Sequence, residues 1–299
     1  MSESDTLYSL PPYNFLGVPN EFTDFKKSKF LVLPVPYDST VSYGVGSRNG
    51  PRAILEASRF VEFLDLETKK EVYTEGVHTL NEIEVCRGDA KETWRRVTQT
   101  VQDVLVKAEK TRKDRFLITL GGEHGLSAGV VAAYPKDVVY VYFDAHGDLR
   151  DELDGSRYAH GCHARRTAET GRKVVGIGIR AISPEELDYA KDSKTKLYLM
   201  QDLKKNMKAS LASLAKELKG KKVYLSVDVD VLDPSEAPGT GTPEPDGFRY
   251  AELVDFIRTI CKSAKVVGFD LCEIAPTGTD KVSEFLGARL TYKVMNLVK

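Results

Sequence analysis

Val138-Val-Tyr-Val-Tyr-Phe-Asp-Ala-His-Gly-Asp148 changes character halfway along. Its first half is β-branched and aromatic, which reads as a buried strand. Its second half spaces Asp144, His146 and Asp148 two residues apart. In extended chain, residues i, i+2 and i+4 point to one side. Three potential metal ligands are therefore expected to leave one strand end in a common direction. A second run, 223–227, leads into Asp228 and Asp230 and repeats the pattern. The chain reads as built to hold metal ions between two strand ends.

Working outward, short apolar runs at 29–34, 116–120, 174–179, 197–200 and 266–271 also read as strands. Helical patterns alternate with them. Pro51 suits a helix N1 position, and the stripe after it carries Ile54, Leu55, Ser58, Val61, Phe63 and Leu64. Residues 89–110 place Trp94, Val97, Val101, Val104 and Ala108 on one face. A helix follows Gly-Gly-Glu-His-Gly as far as Tyr134, and a loop leads on from Asp148 to Arg166. Ser183-Pro-Glu-Glu186 is a capping box, and 203–218 is helical and closed by Gly220. Further helices are expected at 249–264 and 282–298. Residues 1–28 read as a surface arm. Short apolar strands alternating with helices predict an α/β fold, a mostly parallel sheet covered on both faces. With no linker, low-complexity segment or repeat, 1–299 reads as a single domain.

The formal net charge of -1 gives no support for nucleic acid or an acidic membrane as partner. Four cysteines without CxxC spacing argue against a disulfide framework or zinc ribbon and fit a reducing, cytoplasmic setting. No run approaches the roughly 18 apolar residues of a membrane span.

The polar residues cluster where an open α/β sheet binds ligands, beyond the carboxyl ends of strands. His124 follows 116–120, Asp228 and Asp230 follow 223–227, and Glu273 follows 266–271. Of five histidines, four (His124, His146, His160, His163) are close in sequence, and His78 is read as a surface or packing residue. One aspartate after a strand is usually a cap, but this many buried acids need a counter-charge. Four aspartates and two imidazoles without cysteine favour Mn²⁺ over structural zinc, with Fe, Co, Ni and Zn left open. Six ligands suit two ions about 3.5 Å apart with a hydroxide between them. Two divalent ions, four aspartates and that hydroxide leave a charge of about -1, and Glu273 takes it to about -2. Such a pocket suits a small cationic substrate.

Gly121-Gly-Glu-His124, Asp144-Ala-His-Gly-Asp148 and Ser226-Val-Asp-Val-Asp-Val-Leu-Asp-Pro-Ser-Glu-Ala-Pro-Gly-Thr-Gly-Thr-Pro243 resemble the three metal motifs of the ureohydrolase (arginase/agmatinase) family. Gly50-Pro-Arg-Ala-Ile54 and Asp270-Leu-Cys-Glu273 extend the likeness over nearly the whole chain. The resemblance, strongest to prokaryotic and archaeal agmatinases, implies a three-layer α/β/α fold with an eight-stranded sheet and two Mn²⁺. One ion would be held by His124, Asp144, Asp148 and Asp228, the other by His146, Asp144, Asp228 and Asp230. Asp148 would also pass a proton to the leaving amine, His160 would shuttle protons, and Glu273 would pair with the guanidinium. The products would be urea and an amine. Family members usually form trimers or hexamers, so a homo-oligomer is expected.

Departures bear on the substrate. Gly125 stands where Ser or Thr is usual, and Arg150 where arginases have an Asn that holds the substrate's amino-acid end. Ala181 replaces an arginase Asp, while Ser156 keeps an arginase-like spacing before His160. Arginine is disfavoured, and agmatine, cleaved to putrescine and urea, is the first expectation. Aminopropylagmatine, as in spermidine synthesis, and guanidino acids are the alternatives. Arg150, Ser156 and His163 join Glu273 as candidate substrate contacts, and Tyr37, Asp38 and Tyr43 as possible contacts at the mouth. A single-zinc deacetylase and a non-catalytic homologue are the rival classes. Two metals would argue against the first, and the full ligand set argues against the second.

Overall fold

The computed structural model describes residues 10–279 and 281–298. In chain order its elements are β1 (Phe30–Val35), α1 (Gly50–Ser58), β2 (Val77–Thr79), α2 (Ala90–Glu109), β3 (Phe116–Gly121), α3 (Leu126–Ala132), β4 (Val139–Phe143), α4 (His163–Glu169), β5 (Val174–Ile179), α5 (Pro184–Asp192), β6 (Lys196–Leu199), α6 (Met200–Lys205), α7 (Met207–Leu218), β7 (Lys222–Asp228), α8 (Tyr250–Ser263), β8 (Lys265–Cys272) and α9 (Val282–Leu297). Among the described residues the eight strands form one sheet in the order β2-β1-β3-β8-β7-β4-β5-β6. Every pairing within it is parallel.

Side chains alternate across each strand, so the central strands feed two cores. Val139, Val141 and Phe143 face the layer of α1, α6, α7, α8 and α9, while Tyr140 and Tyr142 face that of α2, α3, α4 and α5. Both faces are dry, and for that reason the strands read as continuous apolar runs. The register aligns the carboxyl ends of the central strands. Phe143 pairs with Val227, Leu120 with Leu271, and Asp228 with Cys272. The residues that follow these partners emerge side by side at one edge of the sheet.

The structure corrects several expectations. Within residues 1–28, positions 1–9 lie outside the described residues, and 15–18 are not a surface arm. Phe15, Leu16 and Val18 are buried, with Phe15 N–H donating to Thr79 Oγ1 at 2.9 Å and Leu16 N–H to Ser58 Oγ at 2.8 Å. Helix α1 stops at Ser58 and does not reach Leu64, and the chain goes on in tighter turns in which Phe60 N–H donates to Ala57 O and Val61 N–H to Ser58 O. The expected 203–218 helix is broken at Asn206, whose side chain caps α7 by accepting from Ala209 N. Residues 163–166, expected as the end of a loop, instead open α4, which runs from His163 to Glu169. The edge strand β2 was not expected from any local pattern. It holds His78, whose Nδ1 lies 2.6 Å from Thr23 O. No helix among the described residues is long and apolar enough to cross a membrane, and all four cysteines are free.

Candidate metal centre

Each expected ligand sits where a central strand ends. His124 lies in the turn between β3 and α3, Asp144 directly after β4, Asp228 at the end of β7, and Asp230 in the 3₁₀ turn Val229–Val231. The aspartates converge, but not through extended chain. Asp148 has φ +50°, a left-handed conformation that Asp tolerates better than most residues. The turn swings its carboxylate back towards His124 instead of carrying it along the strand direction.

His124 Nδ1 faces three carboxylate oxygens at once, Asp144 Oδ2 at 2.8 Å, Asp228 Oδ2 at 3.3 Å and Asp148 Oδ2 at 3.7 Å. One N–H cannot serve three acceptors. His146 Nδ1 lies 2.9 Å from Asp230 Oδ2 and 3.4 Å from Asp144 Oδ1. Asp144 therefore stands between the two imidazoles. Short bonds fix its neighbours. His146 N–H donates to Asp144 Oδ1 at 2.6 Å, Asp230 N–H to Asp228 Oδ1 at 2.8 Å, and Ala145 N–H to Asp230 Oδ1 at 3.0 Å.

The buried acids perturb one another. Burial, then the carboxylates of Asp230 and Asp144, pushes Asp228 well above the usual range. Burial and Asp144 do the same to Asp148. Burial alone would raise Asp144 too, but hydrogen bonds from His124 and His146 hold it low. Those imidazoles are held protonated by the same contacts, against the burial that opposes it. Protons thus do here what a cation could do better. An all-oxygen-and-nitrogen donor set, buried, with several acceptors aimed at one point, fits divalent ions.

Behind the ligands lies a second layer. His163 is fully buried, its Nε2 2.9 Å from Asp148 Oδ2 and its Nδ1 3.0 Å from Tyr140 OH. It packs behind Asp148 without a hydrogen bond from Nε2 and is outside the cavity lining. His124 Nε2 lies 2.7 Å from Ser226 Oγ, which donates to buried Asp270, and Tyr224 OH donates to the same carboxylate at 2.8 Å. Such partners orient metal-binding imidazoles.

A cavity of about 400 Å³ opens above the cluster, lined by His146, Asp148, Arg150, His160 and Thr242 among others. Arg150 is exposed on its wall, with no carboxylate partner among the described residues. Ser156 is outside that lining, its Oγ accepting from Tyr158 N in a turn. Glu273, φ +61°, accepts from His124 N–H at 2.7 Å through Oε1. Burial and the Glu123 carboxylate push it up to about 8. Of the possible mouth contacts, Tyr37 is buried, Asp38 is occupied by Arg48 and the N–H of Gly46, and only Tyr43 is exposed. Sequence reasoning missed Glu244, whose Oε1 lies 3.9 Å from His146 Nε2 at the rim. It directly follows the long motif that ends at Pro243, and nothing in that motif hints at its role.

A family model described as the arginase family matches residues 28–296. N(1)-aminopropylagmatine ureohydrolase of Synechocystis sp. is 34% identical over 304 residues, covering 95% of this chain and 95% of its own. Agmatinase of Bacillus cereus is 36% identical over 262 residues, covering 84% of this chain and 85% of its own. The crystal structure of agmatine ureohydrolase of Thermoplasma volcanium matches with a TM-score of 0.84 at 30% identity, over 97% of this chain and 94% of that one. The chain belongs to the arginase family of ureohydrolases.

Proposed function

We propose that the protein hydrolyses the guanidinium of agmatine to putrescine and urea, using two Mn²⁺ held by His124, Asp144, His146, Asp148, Asp228 and Asp230. The observation that carries this reading is the cluster of buried Asp and His donors with Glu273 standing beside it. Two such ions supply Lewis acidity and an activated water. The chain's own groups do the rest. Glu273, poised near neutrality by burial, loses its proton to solvent when a guanidinium docks against it, forming a charge-assisted pair. Asp148 takes a proton and hands it to the departing amine. His160, on the cavity wall, exchanges protons with solvent.

The acid-rich floor and Glu244 at the rim favour a substrate with a second positive charge. Agmatine and aminopropylagmatine both satisfy this, and the named relatives include enzymes of both kinds. A guanidino acid is the second reading, favoured by Arg150 on the cavity wall, which has no carboxylate partner among the described residues. A homo-oligomer, trimer or hexamer, is part of the proposal and is sized by sedimentation.

The test is urea release by the Mn²⁺-loaded protein from agmatine, aminopropylagmatine, arginine, 4-guanidinobutyrate and 3-guanidinopropionate, with His146→Ala as control. Release from agmatine above all others supports the proposal. Preference for aminopropylagmatine moves it to the longer polyamine, and preference for an acid assigns Arg150 as a carboxylate reader. No urea from any, with two metals bound, overturns it.

A further inference from the structure

The acid of Gly121-Gly-Glu-His124 is not a metal ligand, yet Glu123 is fully buried. Its carboxylate is committed to one residue on another loop. Oε2 accepts the backbone N–H of Thr40 at 2.8 Å, and Oε1 accepts the Thr40 hydroxyl. Burying a carboxylate is costly, and here both oxygens are used to hold a loop.

Thr40 in turn holds His160 at two points. Its Oγ1 accepts the backbone N–H of His160 at 3.0 Å, and its carbonyl oxygen lies 2.6 Å from His160 Nδ1. A carbonyl can only accept, so Nδ1 carries the hydrogen. In the neutral ring Nε2 then keeps its lone pair, and this nitrogen lies 3.4 Å from Ser42 Oγ, beside which it lines the cavity. The chain Glu123–Thr40–His160 therefore sets both the position of the imidazole and which nitrogen can take a proton.

Gly125 completes the arrangement. A Cβ at this position would come within 3.1 Å of Glu123 Oε1 and 3.2 Å of both the backbone N and Cα of His160. The absent side chain lets the His160 segment close onto the Glu123 turn. Gly122 does the same for the other loop, since a Cβ there would meet Tyr37 O at 1.9 Å.

We propose that Glu123 is a positioning residue which, through Thr40, fixes His160 as the Nδ1–H tautomer with Nε2 presented to the cavity. The inference rests on the reading of His160 as the proton carrier of a guanidino hydrolase, but its structural half can be tested without turnover.

The first measurement is the ¹⁵N signature of the histidine rings in full-length protein loaded with diamagnetic Zn²⁺. The chain has five histidines, and His160 is assigned by its loss in His160→Asn. The native protein should show the Nδ1–H form at His160. Glu123→Gln and Thr40→Val should mix the two tautomers, and Thr40→Ser, which keeps the hydroxyl, should restore the native signal. The second measurement is steady-state turnover with Mn²⁺. Glu123→Gln should lower kcat about tenfold with KM changed less than about twofold, a loss confined to chemistry. Combined with His160→Asn it should cost nothing further. A native tautomer and full kcat in Glu123→Gln, or losses that multiply with His160→Asn, would overturn the proposal. If Glu123→Gln does not fold, Thr40→Val carries both tests with the carboxylate intact. Absence of urea from the native protein would sink the functional reading alone, since the ring signature still decides the positioning role.

Discussion

Arg180 Nη2 donates to the backbone carbonyl of Asp230 at 2.7 Å. The same guanidinium also reaches the carbonyls of Glu244 at 2.8 Å and Pro245 at 2.9 Å. One planar fork thus ties the turn that carries Asp230 to the rim loop that carries Glu244. A lysine is a point charge and cannot serve these carbonyls together. Arg180→Lys should weaken binding of the ion that His146 and Asp230 are proposed to hold by about 10–100-fold while leaving the far-UV spectrum unchanged. Competition with a calibrated chelator measures it, and unchanged affinity would show that the turn holds itself.

Removing the partner of a buried hydroxyl exposes how much that hydroxyl costs. His163→Phe preserves ring volume but leaves Tyr140 OH without the Nδ1 that lies 3.0 Å away. The loss should be about 1–3 kcal/mol in urea unfolding. An unchanged urea midpoint would mean that the hydroxyl finds another partner.

Metal uptake should release protons. Without ions, Asp148 and Asp228 are pushed up and His124 and His146 are held protonated, so the cluster carries protons at neutral pH. Ligation requires bare carboxylates and neutral imidazoles. Mn²⁺ titrations in buffers of different ionisation enthalpy should therefore give a positive proton release, and affinity should rise with pH. Heat that does not depend on the buffer would mean that the metal-free cluster holds no protons to give up.

Far from the site, Glu67 is held at about 2 by hydrogen bonds first from Arg258 and then from Lys293. A carboxylate with a depressed folded pKa contributes stability above its ordinary pKa and loses it as pH falls towards the folded value. The group is exposed, so the contribution should stay under about 1 kcal/mol. Glu67→Gln should melt below the native protein at neutral pH, with the gap closing as pH falls from about 4.5 towards 2 and narrowing in added salt. A gap that persists in acid would mean that the side chain acts through packing.

Much of this architecture is legible in the residues. Strand β4 and the aspartates after it can be read because a dry strand is uniformly apolar until the chain leaves the sheet. Ser183 and Glu186 announce α5 because a capping box is local. Strand β2 cannot be read that way, since three residues carry no period and its order comes from pairing with β1. Asn206 interrupts an otherwise unbroken helical pattern, and only its cap bond to Ala209 reveals the break. The candidate ligands were visible as residue types at strand ends, whereas the direction of Asp148 depended on its positive φ. Glu123, Thr40 and Arg180 were silent because their partners come from other loops, and no spacing rule links positions 40, 123 and 160.

The central place of β8 has a consequence for synthesis. This strand lies between β3 and β7, yet it spans Lys265–Cys272, near the end of the described chain. Until it leaves the ribosome, β3 and β7 each have an open edge, and the seam between the two halves of the sheet cannot close. Most of the acidic cluster is translated long before the strand that seals it. A nascent chain must therefore carry two unpaired apolar edges until Cys272 has been made and has left the ribosome.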